Sequence, residues 1–136
     1  MYEIFEHTAD LGLRVRSADL PNLFAEAAEG LFSMTVDQLT AVRPIVERHV
    51  EIKGTDLVYL LFDWLNELLY ICDTEHLVFC QFAVELTDAG LTATIRGEPL
   101  DEERHHITHE VKAITYHELK VSREGESWLA EVIVDI

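Results

Sequence analysis

Residues 55–72 read Thr-Asp-Leu-Val-Tyr-Leu-Leu-Phe-Asp-Trp-Leu-Asn-Glu-Leu-Leu-Tyr-Ile-Cys, and their spacing decides how the rest of the chain is arranged. Thr55 is the expected N-cap, which sets Asp56 at the positive end of the helix dipole. At about 100° per residue, Asp56, Asp63, Asn66 and Glu67 fall within an arc of roughly 100°. Tyr59 and Tyr70 lie in or beside that arc. Leucines, Val58, Phe62, Trp64, Ile71 and Cys72 fill most of the remaining circumference. One neighbour cannot cover so wide an apolar surface. The stretch is therefore expected as a central, buried helix with strands or a second helix wrapped around it. Three carboxylates and an asparagine interrupt the run, which argues against a membrane span.

The chain has 136 residues, enough for one domain with a real core, and 49% of them are hydrophobic. Mean hydropathy is +0.07, as in a soluble globular protein. No basic region followed by an apolar run opens the sequence, so no secretory signal is visible. Cys72 and Cys80 make no disulfide framework. A cytoplasmic protein is the expectation. The formal net charge is −16, from 26 acidic and 10 basic residues. Such a chain repels phosphate backbones, so direct nucleic-acid binding is disfavoured. It suits cations, or a basic patch on a partner protein.

Outward from the central stretch, residues 46–53 alternate as a half-exposed strand, and Gly54 ends it. Residues 77–87 form another strand; Asp88-Ala89-Gly90 turns the chain into a returning one. Towards the N-terminus, residues 2–5 and 11–17 read as strands on either side of His7-Thr8-Ala9-Asp10. Asp19 caps a second helix over residues 20–32, with Pro21 in its first turn and Gly30 weakening its end. Residues 97–104 are polar, hold Pro99 and read as a loop. Residues 106–121 are rich in β-branched and aromatic types and look extended. Residues 128–136 are the last strand. Two helices and six to eight strands, not in regular alternation, predict an α+β fold in a single domain spanning residues 1–136.

Several groupings carry candidate chemistry. The oxygens of the His7–Asp10 segment suit a hard cation held in a loop; the plainer alternative is an Asx turn. Asp135, beside the final main-chain carboxylate, is a second acidic candidate if the last strand lies next to that loop. Lys112 is conspicuous in a chain poor in basic residues. It could pair with the acidic site or touch an anionic group on a partner, although strand alternation alone makes it a solvent-facing residue. His105, His106, His109 and His117 fit no fixed zinc spacing and read as surface residues. Cys72, His76 and Cys80 are discounted because they straddle a helix end and a strand. No Gly-rich phosphate loop, G-x-S-x-G or nucleophile–base pairing is present.

Four blocks taken together resemble the archease family: His-Thr-Ala-Asp-Leu-Gly-Leu at 7–13, Leu-Leu-Phe-Asp-Trp-Leu-Asn-Glu-Leu-Leu-Tyr at 60–70, Val-Lys-Ala-Ile-Thr-Tyr-His at 111–117, and a final Val-Asp-Ile. The likeness runs from one end of the chain to the other. It implies an archease-like fold and an accessory protein, not an enzyme. Such a protein would activate the RtcB-type RNA ligase of tRNA splicing and RNA repair by promoting its guanylylation and multiple turnover. It implies a divalent cation, calcium or magnesium, held by Asp10, Asp135 and a main-chain oxygen of Ile136. It makes Lys112, with Asp10 and Asp135, responsible for activating the partner. His7 and His117 are expected to support the ligands. An alternative within the family is a chaperone-like modulator of a tRNA methyltransferase. A metal-dependent hydrolase using Asp10 and Asp135 is a further alternative, disfavoured by the missing base and nucleophile.

Overall fold

A computed structural model describes residues 1–7 and 10–136; Thr8, Ala9 and the side chain of His7 lie outside the described residues. Its elements run β1 (Tyr2–His7), β2 (Asp10–Ser17), α1 (Leu20–Thr35), a 3-10 turn (Leu39–Ala41), β3 (Val46–Lys53), α2 (Leu57–Glu75), β4 (Leu77–Thr87), β5 (Gly90–Pro99), α3 (Glu102–His105), β6 (Ala113–Ile114), β7 (Lys120–Glu124) and β8 (Ser127–Asp135). One sheet has the order β1-β2-β8-β6, with β7 also paired to β8; the other is β3-β5-β4. The strand pairs are antiparallel. Both long helices touch both sheets, and the core fills the space among them. This is the α+β arrangement expected from the sequence.

The central helix is buried as its periodicity requires. Leu61, Trp64, Leu65 and Leu68 are inaccessible to solvent. Trp64 brings a polar N–H into that core, and its Nε1 donates to the Phe24 carbonyl of α1 at 3.0 Å. The indole therefore ties the two helices together as well as filling space. The cap differs from expectation. Asp56, not Thr55, is the N-cap, and its carboxylate accepts from Val58 N–H at 3.0 Å and Tyr59 N–H at 3.2 Å. Aspartate adds a full negative charge to the capping geometry, so it satisfies the orphan N–H groups and the dipole together.

Helix α1 starts as expected, with the Asp19 carboxylate accepting from Asn22 N–H, and runs on to Thr35. Gly30 does not end it. A Cβ there would fall 2.4 Å from a Leu13 methyl, so the glycine lets α1 lie close on β2.

Two further expectations are corrected. Residues 97–99 are not loop: β5 continues to Pro99, pairing Glu98 with Val78 across a register shift in β4 between Phe79 and Gln81. Glu98 reads as polar but is 2% exposed. Pro99 is the last residue of the strand, where its missing N–H costs least. Residues 106–121 are mostly not extended ladder. Strand occurs only at β6 and from Lys120 onward. Earlier residues instead answer the carbonyls left open at the C-terminus of α1. Thr108 N–H donates to Thr35 O at 2.9 Å, and Thr108 Oγ1 to Met34 O at 2.7 Å. His109 Nδ1 lies 3.1 Å from the same Met34 carbonyl. Among the described residues, no helix is long and apolar enough to cross a membrane.

Candidate functional site

The chain end of β8 is where the acidic candidates meet. Leu11 of β2 stands opposite Val134 of β8. Asp10 immediately precedes Leu11 on β2 and Asp135 immediately follows Val134 on β8, so the two lie at the same end of this strand pair. On its other side Asp135 faces Ala113 of β6, and its carbonyl accepts from Lys112 N–H at 2.8 Å. A central strand thus carries Asp135 between Asp10 and the Lys112 segment. Asp10 is the first residue of β2, not a loop residue, and is half-buried. Asp135 and Lys112 are exposed. Among the described residues, the Lys112 ammonium has no carboxylate partner.

Neighbouring residues fix this corner. Thr115 donates twice to the Ile133 carbonyl, from its N–H at 3.1 Å and from Oγ1 at 2.9 Å. On the opposite flank, the Phe5 ring lies over Gly12, where any Cβ would sit 2.2 Å from the ring. Arg14 stacks on that ring at 4.7 Å and donates to Glu3 at 2.8 Å. The hydrogen bond from Arg14 to Glu3 leads the contacts that hold its guanidinium more basic than usual. His117 is exposed, and its N–H donates to Thr115 Oγ1 at 3.3 Å. The sequence-expected roles of Thr8, Ala9 and the His7 side chain lie outside the described residues.

The donors expected at this corner are two carboxylates and a main-chain oxygen of Ile136. Oxygen-only donors suit calcium or magnesium rather than zinc. The residues present therefore fit such an ion. No cluster of three or more His, Cys, Asp or Glu able to hold a metal occurs among the described residues. That holds for this corner as it does for the histidine and cysteine groupings. Burial, then the nearby Asp73, pushes the Cys72 thiol up, which removes it as a nucleophile.

Sequence reasoning missed a second polar cluster and placed His105 on the surface. His105 is 2% exposed and packs against buried Glu98. Its Nδ1 accepts from Asp101 N–H at 2.9 Å, so Nε2 carries the proton and faces Glu98 Oε2 at 3.1 Å. Arg43 adds a backbone N–H bond at 2.6 Å and a side-chain bond at 3.2 Å, and Arg104 closes an ion pair. Burial pushes the Glu98 carboxyl up, but the bonds from Arg104, Arg43 and His105 outweigh it and hold it at about 2. A carboxylate so fully engaged has no free lone pair or proton to offer a substrate. The cluster locks residues 43 and 101–105 onto the end of β5. The only hint in the sequence was Glu98 one residue before a proline, flanked by an apolar strand.

An aromatic stack was also not foreseen. Tyr116 lies on Phe62 with centroids 3.9 Å apart and planes 14° apart, and meets Tyr59 edge-on at 6.1 Å.

Comparison with known proteins places this geometry in context. The model of the Archease protein family matches residues 2–136. The chain is 42% identical to a protein archease of Methanopyrus kandleri, over 99% of both chains. It is 41% identical to one of Pyrococcus abyssi, over 99% of this chain and 98% of that one. The solution structure of Methanobacterium thermoautotrophicum protein 1598 superposes with a TM-score of 0.82 at 37% identity, covering 99% of this chain and 98% of that one. A Thermotoga maritima archease, described as a possible chaperone, superposes with a TM-score of 0.69 over 100% of this chain and 98% of that one. At 21% identity, that likeness speaks for the fold alone.

Proposed function

The chain belongs to the archease family, and from that premise we propose that it is a non-catalytic activator of an RtcB-type RNA ligase. In this reading it promotes guanylylation of the ligase and multiple turnover in tRNA splicing and RNA repair, in the cytoplasm. One observation carries it. Strand β8 sets Asp135 beside Asp10 on one flank and ties it to Lys112 on the other. The three residues that the resemblance implicates thus share one corner of the fold.

Asp10 and Asp135, with a main-chain oxygen of Ile136, would hold calcium or magnesium. Such a cation supplies positive charge against the negative charge that develops on phosphates during nucleotidyl transfer. Lys112 reaches outward from the same corner and contacts the ligase or an anionic group bound there. Its backbone bond to Asp135 keeps the residue beside the acidic corner. The surplus of 16 negative charges docks on basic residues of the partner and disfavours direct capture of RNA.

The test is a pulse of labelled guanosine triphosphate with the cognate ligase, with and without this protein. The parent is expected to raise the guanylylated fraction. Asp10→Ala, Asp135→Ala and Lys112→Ala are each expected to abolish that stimulation while circular dichroism stays unchanged. Stimulation by all three folded variants would overturn the residue roles. A parent without effect would overturn the function and leave the chaperone-like methyltransferase modulator as the reading to pursue.

A further inference from the structure

The exposed face of α2 combines two properties that rarely coincide on a face exposed only to water. It is acidic, and it displays large aromatic rings. Tyr59 is 58% exposed and Tyr70 63%, and Tyr116 beside them is 58% exposed. Tyr59, Asp63 and Tyr70 follow one another along a single helical stripe. Helix α2 contains no lysine, arginine or histidine anywhere in its nineteen residues. Asp73 even stands in the last turn, where the helix dipole disfavours a negative charge. Intrahelical stability gives no reason for that arrangement.

Rigidity adds to the case. Tyr116 is exposed on one side yet stacked on Phe62 and edge-on to Tyr59. A ring already held in place loses little entropy when a partner covers it. Its position also links two regions. Residues 112–116 run from the backbone bond between Lys112 and Asp135, through Thr115 on Ile133, to the Tyr116 ring on α2. The stripe is thus continuous with the Asp10–Asp135 corner. A groove beside it separates Asp63, Glu67 and Tyr70 from Glu51 and Lys53 at the end of β3.

We infer that the stripe Tyr59–Asp63–Tyr70 of α2, extended by Tyr116, docks an arginine-bearing basic surface of the protein partner. Arginine fits both properties: its planar guanidinium stacks on a tyrosine face and forks onto a carboxylate. Phosphates are repelled by the same stripe, so the occupant is protein and not RNA. The inference rests on the ligase reading for the partner's identity, and it adds where on this chain the contact is made.

The experiment measures affinity and stimulation separately, using the cognate RtcB-type ligase. Tyr70→Ala and Asp63→Lys change exposed side chains, and Glu85→Lys on β4, also exposed, is the charge-matched control. Calorimetry is expected to show about tenfold or greater weakening for each stripe variant, the loss usual for an anchoring aromatic or charge. Glu85→Lys should bind within about twofold of the parent. Asp63→Lys should also flatten the fall of affinity with salt. At saturating concentration both stripe variants should restore full guanylylation, because Asp10, Asp135 and Lys112 are intact. Parent-like affinity in both stripe variants, beside a parent that binds and stimulates, overturns this inference and leaves the ligase reading standing. A parent that neither binds nor stimulates removes the ligase reading and this inference with it. Binding of labelled single-stranded RNA that weakens on stripe substitution would also overturn it.

Discussion

Glu98 and Asp135 are both strand-end carboxylates in a chain rich in them, and their surroundings separate their roles. Asp135 is exposed at the end of β8. Glu98 is buried among two arginines and a histidine and held at about 2, below its ordinary 4.5. A depressed carboxylate stabilises the fold at every pH above its ordinary value. As pH falls from about 4.5 towards 2, the unfolded chain takes up the proton first and that stabilisation is lost. Melting curves of the parent and Glu98→Gln should therefore differ most near neutrality and converge below pH 4.5. Curves that stay parallel down to pH 3 would show that Glu98 does not carry the acid sensitivity. Trp64 tests the core at the same scale. Trp64→Ala removes a fully buried ring and its bond to Phe24 O. The cost should be about 3–5 kcal/mol in urea denaturation, and a value under about 1 kcal/mol would contradict its central place.

Helix α2 allows a clean comparison of two adjacent side chains. Asp56 accepts the first orphan N–H groups, while Thr55 makes no such bond. Asp56→Ala should cost about 1 kcal/mol, and Thr55→Ala should stay within about 0.5 kcal/mol by chemical denaturation. The reverse order would return the cap to Thr55. The periodicity of residues 57–72 was enough to foresee burial of this helix, because an apolar arc that wide has no other outcome. It could not choose between two adjacent capping types, since both suit the position. The strands around it were legible wherever one face was apolar, as in β3, β4 and β8. They were misread where a polar residue was buried by partners distant in sequence: Arg43 lies 55 residues from Glu98. Residues 107–112 failed for a related reason. Their composition suits a strand, but the open carbonyls of α1 claimed them first. For the candidate corner, the residue types were visible, and their meeting was foreseen only on the condition that the last strand lie beside the His7–Asp10 segment and through the family resemblance. Asp10 and Asp135 become neighbours only through the pairing of the first and last long strands of one sheet.

At the scale of the whole molecule, charge must be separated from specific binding. The arginines are largely committed: Arg14, Arg16, Arg43, Arg48, Arg96 and Arg104 each pair with a glutamate. They leave a domain of net charge −16 whose compact state is opposed by self-repulsion. Any salt screens that repulsion and raises the melting temperature somewhat. An ion held between Asp10 and Asp135 acts differently. It would bind only the folded register and so would add stability by mass action, about 2.7 kcal/mol at a hundred times its dissociation constant. For a domain of this size that is roughly 10 °C. Calcium or magnesium chloride should therefore raise the melting temperature well beyond sodium chloride at equal ionic strength. Asp10→Asn removes one charge and leaves the screening term, so it should follow the sodium curve in both salts. Equal responses of the parent to the divalent and monovalent salts would mean that the corner holds no divalent ion. A retained divalent response in Asp10→Asn and Asp135→Asn would mean that the ion sits elsewhere on the acidic surface.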